Sequence, residues 1–285
     1  MATIKTIAPA KVNLTLHVTG QRPDGYHLLD SLVVFTDVGD PLSATLAADL
    51  RISVSGPFAA GVPTDQTNLM MRAAAALQTA RGVKVGAALT LEKRLPHAAG
   101  IGSGSSDAAA TLKLLARLWD VPPLPPTAPE VLALGADVPV CLQAPAATQM
   151  SGIGEKLSNI TGLPECALVL VRPPVEVSTA AIFKSMPQKS GTPMERLVPG
   201  LDFDGFSRWL ARQRNDLQIQ AEEKVPEIAQ AIAKLKSLPA VSVAAMSGSG
   251  ATCFGLVKDM ASARQVARIV QLSHMNWWVA PAAVL

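Results

Sequence analysis

Residues 95–119 read LPHAAGIGSGSSDAAATLKLLARLW: glycine recurs at 100, 102 and 104, runs into Ser105, Ser106 and Asp107, and gives way to an Ala/Leu helix. A chain that only reverses direction needs one glycine. Glycine at every second position ahead of a long helix lets several backbone N–H groups face one concavity at the positive end of the helix dipole. Ser103, Ser105 and Ser106 add hydroxyl donors without bulk. With a strand expected at 83–91 directly before it, the stretch predicts a phosphate cradle between strand and helix. Two familiar cradles fail on spacing. A Walker loop needs a Gly-Lys pair, which this chain lacks, and G-x-G-x-x-G begun at Gly100 or Gly102 needs glycine where Ser105 and Asp107 stand. The plain alternative is a flexible turn before an ordinary helix, and three glycines with three serines outweigh it.

The length of 285 residues, with 49% hydrophobic and 16% charged side chains, suits one large or two medium domains with ample core and argues against disorder. A formal charge of +3, scattered Lys and Arg, and 4% aromatics leave little for a phosphate-backbone stripe or base-stacking platforms, so no nucleic-acid partner is expected. Cys141, Cys166 and Cys253 are odd in number and far apart, which fits neither a disulfide framework nor a zinc site and suits a reducing compartment. The first residues, MATIKTIAPAKVNL, have no apolar leader segment, and no apolar run nears membrane-spanning length. A cytoplasmic protein with no membrane partner is expected.

Alternation predicts strands at 11–18 and 50–54 and a compact β-rich run predicts one at 32–35, then a helix capped by Thr67 and stopped by Gly82. The proline-dense 121–129 reads as a stiff loop, and strands are expected at 138–142 and 167–171. The last third changes character: helices at 203–213, 216–224 and 226–237, with Pro226 at a first helical position, strands at 241–246 and 252–257, a helix near 260–271 and a strand at 276–280. Irregular mixing of helix and strand predicts α+β, with a boundary within 145–165.

Pro96 to Ala109, P-x-x-x-G-I-G-S-G-S-S-D-A-A, resembles the ATP-binding motif of the GHMP kinase superfamily of small-molecule kinases. Two more blocks lie where that superfamily has its other motifs, APAKVNLTLHVTGQRPDGYHLLDSL at 8–32 and SGSGATCFGL at 247–256. With GADVPV at 135–140, GEKL at 154–157 and IFK at 182–184, the pattern is similar, along nearly the whole chain, to the branch that phosphorylates a cytidine diphosphate-linked methylerythritol on the non-mevalonate route to isoprenoid precursors.

The resemblance implies an α+β two-domain GHMP kinase fold. An N-terminal ATP-binding domain at 1–160, ribosomal-protein-S5-domain-2-like, would precede a ferredoxin-like C-terminal domain at 161–285, with the substrate site in the cleft between them. It implies ATP with Mg²⁺, a small-molecule substrate, and a monomer or weak homodimer. Lys11 and Asp137 would be the catalytic pair. Pro96, His97, Ala98, Ala99, Gly100, Ile101, Gly102, Ser103, Gly104, Ser105 and Ser106 would wrap the ATP phosphates, with Asn68 near the adenine. Asn13 and Thr179 would lie near the methylerythritol hydroxyls, and Tyr26, His27 and Phe183 around the cytidine. No magnesium ligand is assigned.

Without the resemblance each residue has a plainer reading. Lys11 heads an amphipathic strand, where lysine is ordinarily a solvated charge. Asp137 serves equally as an Asx-turn residue, Tyr26 and His27 follow the Asp24-Gly25 turn, Phe183 reads as core, and SGSGAT as a hairpin turn. Two other functions stay open: a kinase of another small alcohol, of the homoserine or mevalonate type, which would lack the cytidine set, and a non-catalytic nucleotide- or RNA-binding α+β protein, which would leave Lys11 and Asp137 without a role.

Overall fold

The computed structural model describes residues 3–186 and 190–285. In chain order its elements are β1 (Ile4–Asn13), β2 (His17–Gln21), β3 (His27–Ala47), β4 (Arg51–Ser55), α1 (Leu69–Arg81), β5 (Gly86–Glu92), α2 (Ser103–Leu118), and the one-turn helices α3 (Pro129–Leu132) and α4 (Val138–Cys141). There follow β6 (Thr148–Gly152), β7 (Lys156–Asn159), β8 (Ala167–Arg172), α5 (Thr179–Ser185), α6 (Phe203–Ala211), α7 (Gln218–Lys224), α8 (Pro226–Lys236), β9 (Val243–Met246), β10 (Cys253–Val257), α9 (Met260–Ser273) and β11 (Trp278–Ala283). They form two compact units, each drawn from separate stretches of chain. The first takes the N-terminal stretch to Lys11, Gly39–His97 and Gly102–Ala144; the second takes Val12–Val38, Ala98–Ile101 and Pro145–Leu285.

In the first unit β4 lies parallel to β5, with Arg51 opposite Ala88, and β5 lies antiparallel to the end of β3, with Leu42 opposite Leu91. A parallel pair needs a crossover, and α1 supplies it. The α1 helix starts where the Asn68 side chain accepts from Met70 N and ends at Gly82, whose φ of 65° closes the C-terminus as expected. It packs on α2 and buries Met70, Met71, Ala74 and Leu77, and the buried alanines 108–110 of α2 let that helix lie close to its neighbours.

In the second unit β8 pairs antiparallel with β10 and with β11, and β10 with β9, giving the order β11-β8-β10-β9. With helices between β8 and β9 and α9 between β10 and β11, this is the βαββαβ ferredoxin-like pattern. Helices α8 and α9 pack on the sheet and bury Ile228, Ile232, Leu235, Val266 and Val270 against Val169, Val171 and Cys253. The β2–β3 hairpin, turning through Arg22–Tyr26, and the β6–β7 pair complete this unit.

Three local expectations are corrected. The strand at 138–142 is helix α4, because Pro139 sits in its first turn and Val138, Pro139, Val140 and Cys141 are all buried, a pattern that suits a short core helix as well as a core strand. The strand at 11–18 is interrupted after Asn13, where the Thr15 hydroxyl accepts the Leu32 N–H that a continuous ladder would give to backbone. Asn68, not Thr67, caps α1, since Thr67 is engaged by Asp65 through both its N–H and its hydroxyl. Among the described residues no helix is long and apolar enough to cross a membrane.

Candidate active site

The glycine-rich loop uses its glycines for two different purposes. Ala98, Gly100 and Gly102 have φ of 44°, 72° and 59°, so every second residue is left-handed and the intervening amides turn to one side. A Cβ at Gly100 would lie 2.3 Å from the Ser247 carbonyl oxygen. Gly104 is different: its backbone is ordinary helix, and an added Cβ would meet nothing within 4 Å. Glycine there keeps bulk away from the helix start. Gly102, the N-cap of the 16-residue α2, has no side chain to cap the first-turn N–H groups. The Ser103 hydroxyl donates to the Pro96 carbonyl at 3.2 Å and the Ser106 hydroxyl to the Pro9 carbonyl at 2.7 Å, closing the base of the loop. Ser105 is half-buried, and its hydroxyl makes no hydrogen bond among the described residues.

Beside this helix start, Lys11 Nζ lies 2.9 Å from Asp137 Oδ2. The two ends differ: the lysine side chain is 4% exposed and the aspartate 37%. Lys11 is therefore no solvated strand-end charge. Its stem passes against Gly102, where a Cβ would come within 3.2 Å of Lys11 Cε, and Asp137 is set at the N-terminus of α4.

A cavity of about 360 Å³ in the first unit is lined by Gly61, Val62 and Pro63, by Asn68 and Met70, and by Lys93, His97, Ser103, Gly104 and Asp107. Asn68 shapes it from behind, its Oδ1 capping α1 and its Nδ2 donating to the Pro63 carbonyl at 2.6 Å. His97 stands edge-on to Phe58, with Nε2 buried and unpartnered. In the cavity wall Lys93 Nζ bridges two carboxylates, Asp40 at 2.6 Å and Asp107 at 2.5 Å. Burial pushes the Asp107 carboxyl up to about 7, with Asp40 adding to the rise and Lys93 opposing it. Asp107 lies in the glycine-serine motif, but nothing in the local sequence flags Asp40 or Lys93 as its partners.

The second unit gathers the residues expected at the acceptor. Asn13 donates from Nδ2 to the Ser31 hydroxyl at 2.7 Å and keeps a buried, unpartnered Oδ1. Thr179, the first residue of α5, shares a 2.7 Å hydrogen bond with Ser249. SGSGAT is indeed the β9–β10 turn, but it also organises this set. The Ser247 hydroxyl accepts from Asn13 N at 3.1 Å and donates to the Gly100 carbonyl at 2.9 Å, and Thr252 N donates to the Ala99 carbonyl. Sequence reading missed Ser247 and Ser249 as site residues; glycines beyond what a hairpin needs were the available signal. His27 and Phe183 stack with centroids 4.8 Å apart, and Phe183 also packs on the sheet core. Tyr26 is 60% exposed on the hairpin.

Among the described residues no cluster of three His, Cys, Asp or Glu side chains could hold a metal by itself.

Residues 68–147 match the GHMP kinases N terminal domain, and residues 195–275 match the GHMP kinases C terminal domain. The chain is 51% identical over 282 residues to the 4-diphosphocytidyl-2-C-methyl-D-erythritol kinase of Dinoroseobacter shibae, covering 99% of this chain and 95% of that one. It is 50% identical over 285 residues to the enzyme of the same name from Ruegeria pomeroyi, covering 99% of each. A crystal structure of 4-(cytidine 5'-diphospho)-2C-methyl-D-erythritol kinase superposes with a TM-score of 0.80 at 29% identity, over 98% of this chain and 99% of that one. Homoserine kinase from Cytophaga hutchinsonii shares the fold, with a TM-score of 0.70 at 14% identity, over 100% of this chain and 95% of that one. The chain therefore belongs to the GHMP kinase family, in the branch of the 4-diphosphocytidyl-2-C-methyl-D-erythritol kinases.

Proposed function

We propose that this chain transfers the γ-phosphoryl group of ATP to the 2-hydroxyl of 4-diphosphocytidyl-2-C-methyl-D-erythritol, giving the 2-phosphate and ADP. The observation that carries the chemistry is the Lys11–Asp137 pair at 2.9 Å beside an uncapped helix start. The identity of the acceptor rests on relatives of that name at about half identity over the full chain.

Phosphoryl transfer asks little covalent work of a protein, so positioning and charge supply the rate. The amides of Gly102 to Ser105 and the Ser105 hydroxyl bind phosphate oxygens, and the cavity lined by Asn68 and His97 takes the base. Asp137, reachable by solvent, accepts the proton of the attacking hydroxyl, and buried Lys11 holds that carboxylate and offsets charge on the transferred group. Magnesium would supply charge neutralisation on the nucleotide phosphates, and since no three carboxylates or imidazoles converge among the described residues, it would be held mainly through those phosphates and water. Asn13 and Thr179 hold the methylerythritol hydroxyls. Tyr26, His27 and Phe183 recognise the cytidine, and since no third ring fits between His27 and Phe183 at 4.8 Å, the base stacks on an outer face.

In this reading residues 1–160 carry the nucleotide and residues 161–285 complete acceptor recognition. We place the reaction in the cytoplasm, carried out by a monomer or weak homodimer. A coupled ADP-release assay over a panel of alcohols tests the proposal: turnover should require the cytidine diphosphate-linked acceptor, and faster turnover of homoserine, mevalonate or free methylerythritol overturns it.

A further inference from the structure

Asp40 belongs to none of the motifs in the sequence, yet it is fully buried and accepts three hydrogen bonds. Its Oδ1 accepts from Arg94 N at 2.6 Å and from Leu95 N at 2.8 Å, and its Oδ2 accepts from Lys93 Nζ at 2.6 Å. Those three residues are the last before Pro96, where the phosphate loop begins. Lys93 is also fixed through its backbone, its N–H donating to the Ser55 carbonyl and its carbonyl accepting from Phe58 N. Through its ammonium it reaches Asp107 in the second turn of α2, beyond the loop. One carboxylate on β3 thus grips the strand that enters the loop, and through Lys93 the helix that leaves it.

We propose that Asp40 is a positioning residue for the phosphate loop: its carboxylate sets where the chain departs β5, and so governs nucleotide affinity without touching the acceptor. This rests on the reading of the loop as the nucleotide site. Lys93 and Asp107 line the cavity, whereas Asp40 is fully buried and is not among its lining residues, so Asp40 acts through the backbone at 93–95 and through Lys93.

The test is Asp40→Asn in the full-length chain. Asparagine keeps an oxygen for the Arg94 and Leu95 amides but removes the charge that holds Lys93. Loss of one buried charge-assisted hydrogen bond should raise the Kd for ADP, measured by calorimetry, by about 10- to 100-fold. The acceptor KM should change by less than about twofold. A residue that merely props the fold would not move a pH profile, and this one should. The charged and titratable groups facing Asp107 are Lys93 at the loop entry, Asp40 on β3 and the Cys141 thiol on α4. With Asp40 neutral, the inflection of ADP affinity near the Asp107 value of about 7 should move to lower pH. An unchanged ADP Kd in folded Asp40→Asn overturns the inference, as does an equal loss of ADP and acceptor binding. Wild-type protein that binds no ADP overturns the nucleotide-site reading together with this one. Should Asp40→Asn fail to fold, amide exchange in the wild type carries the test: the Arg94 and Leu95 amides should exchange slowly and slow further with ADP, and exchange at the rate of an open loop refutes it.

Discussion

Asp137→Asn separates catalysis from stability because the two ends of its ion pair are so differently solvated. At 2.9 Å the attraction is about 6 kcal/mol with an effective dielectric of 20 and about 1.4 kcal/mol in bulk water. Asp137 is 37% exposed, which places the pair inside that bracket; Lys11 is 4% exposed and cannot turn to water when its partner is lost. Asp137→Asn should therefore cost about 2–3 kcal/mol of folding stability, below the 3–5 typical of a fully buried pair. Lys11→Met strands only a carboxylate that water already reaches and should cost less than about 1 kcal/mol. Set against a typical domain stability of about 5–15 kcal/mol, both variants stay folded at 25 °C. The rate behaves otherwise. Removing the proton acceptor should lower kcat by about 10²–10⁴-fold, or about 2.7–5.4 kcal/mol of barrier, with ATP affinity little changed. The double variant should lose less than the product of the single losses, because both residues serve one step. Urea unfolding and coupled ADP release on the same preparations measure both quantities. Wild-type kcat in folded Asp137→Asn would refute the catalytic assignment, and a larger stability loss for Lys11→Met would refute the solvation argument.

Gly104→Ala should raise Tm, since alanine is favoured over glycine in a helix by about 1 kcal/mol and meets no neighbour, yet it should raise the KM for ATP; Gly100→Ala should lower Tm, because its Cβ strikes the Ser247 carbonyl. Calorimetric scanning with ATP titration checks both. Phe183→Ala should weaken acceptor binding by about 1–3 kcal/mol while leaving ADP binding alone, as read by calorimetry with each ligand. For Asp107 the folded carboxyl titrates at about 7 against the usual 3.8, so the native state keeps a proton that the unfolded chain releases. Stability from this group is full below pH 3.8 and lost as pH rises towards 7, and Asp107→Asn should flatten that part of the urea-stability profile.

Local chemistry made parts of this legible and left others hidden. The left-handed turns at Gly100 and Gly102 follow from glycine spacing, and Gly82 announces the end of α1 because a left-handed cap favours glycine. The same spacing cannot say that Gly104 is needed for room and not for backbone angle. Lys11 reads as a surface charge until the fold buries it against a residue 126 positions later. Asp40 is unreadable for a similar reason: the amides it holds lie more than fifty residues away, and nothing beside it marks it as more than a strand aspartate. The short run at 138–142 shows the limit of periodicity, since a buried helix and a buried strand present the same all-apolar pattern.

The approach of the loop to the SGSG turn bears on how this gene could vary. A Cβ at Gly100 would strike Ser247 and Gly250, and a Cβ at Gly248 would strike the Gly100 carbonyl at 2.8 Å. Ordinary core contacts tolerate trade, a larger side chain on one side matched by a smaller one opposite. Here the obstacles are main-chain atoms of Ser247, Gly250 and Gly100, so no side-chain substitution opposite can make space. A suppressor screen begun from a Gly100 or Gly248 mutant should return revertants and no compensating change in the opposing segment, which makes the two segments a single mutational target.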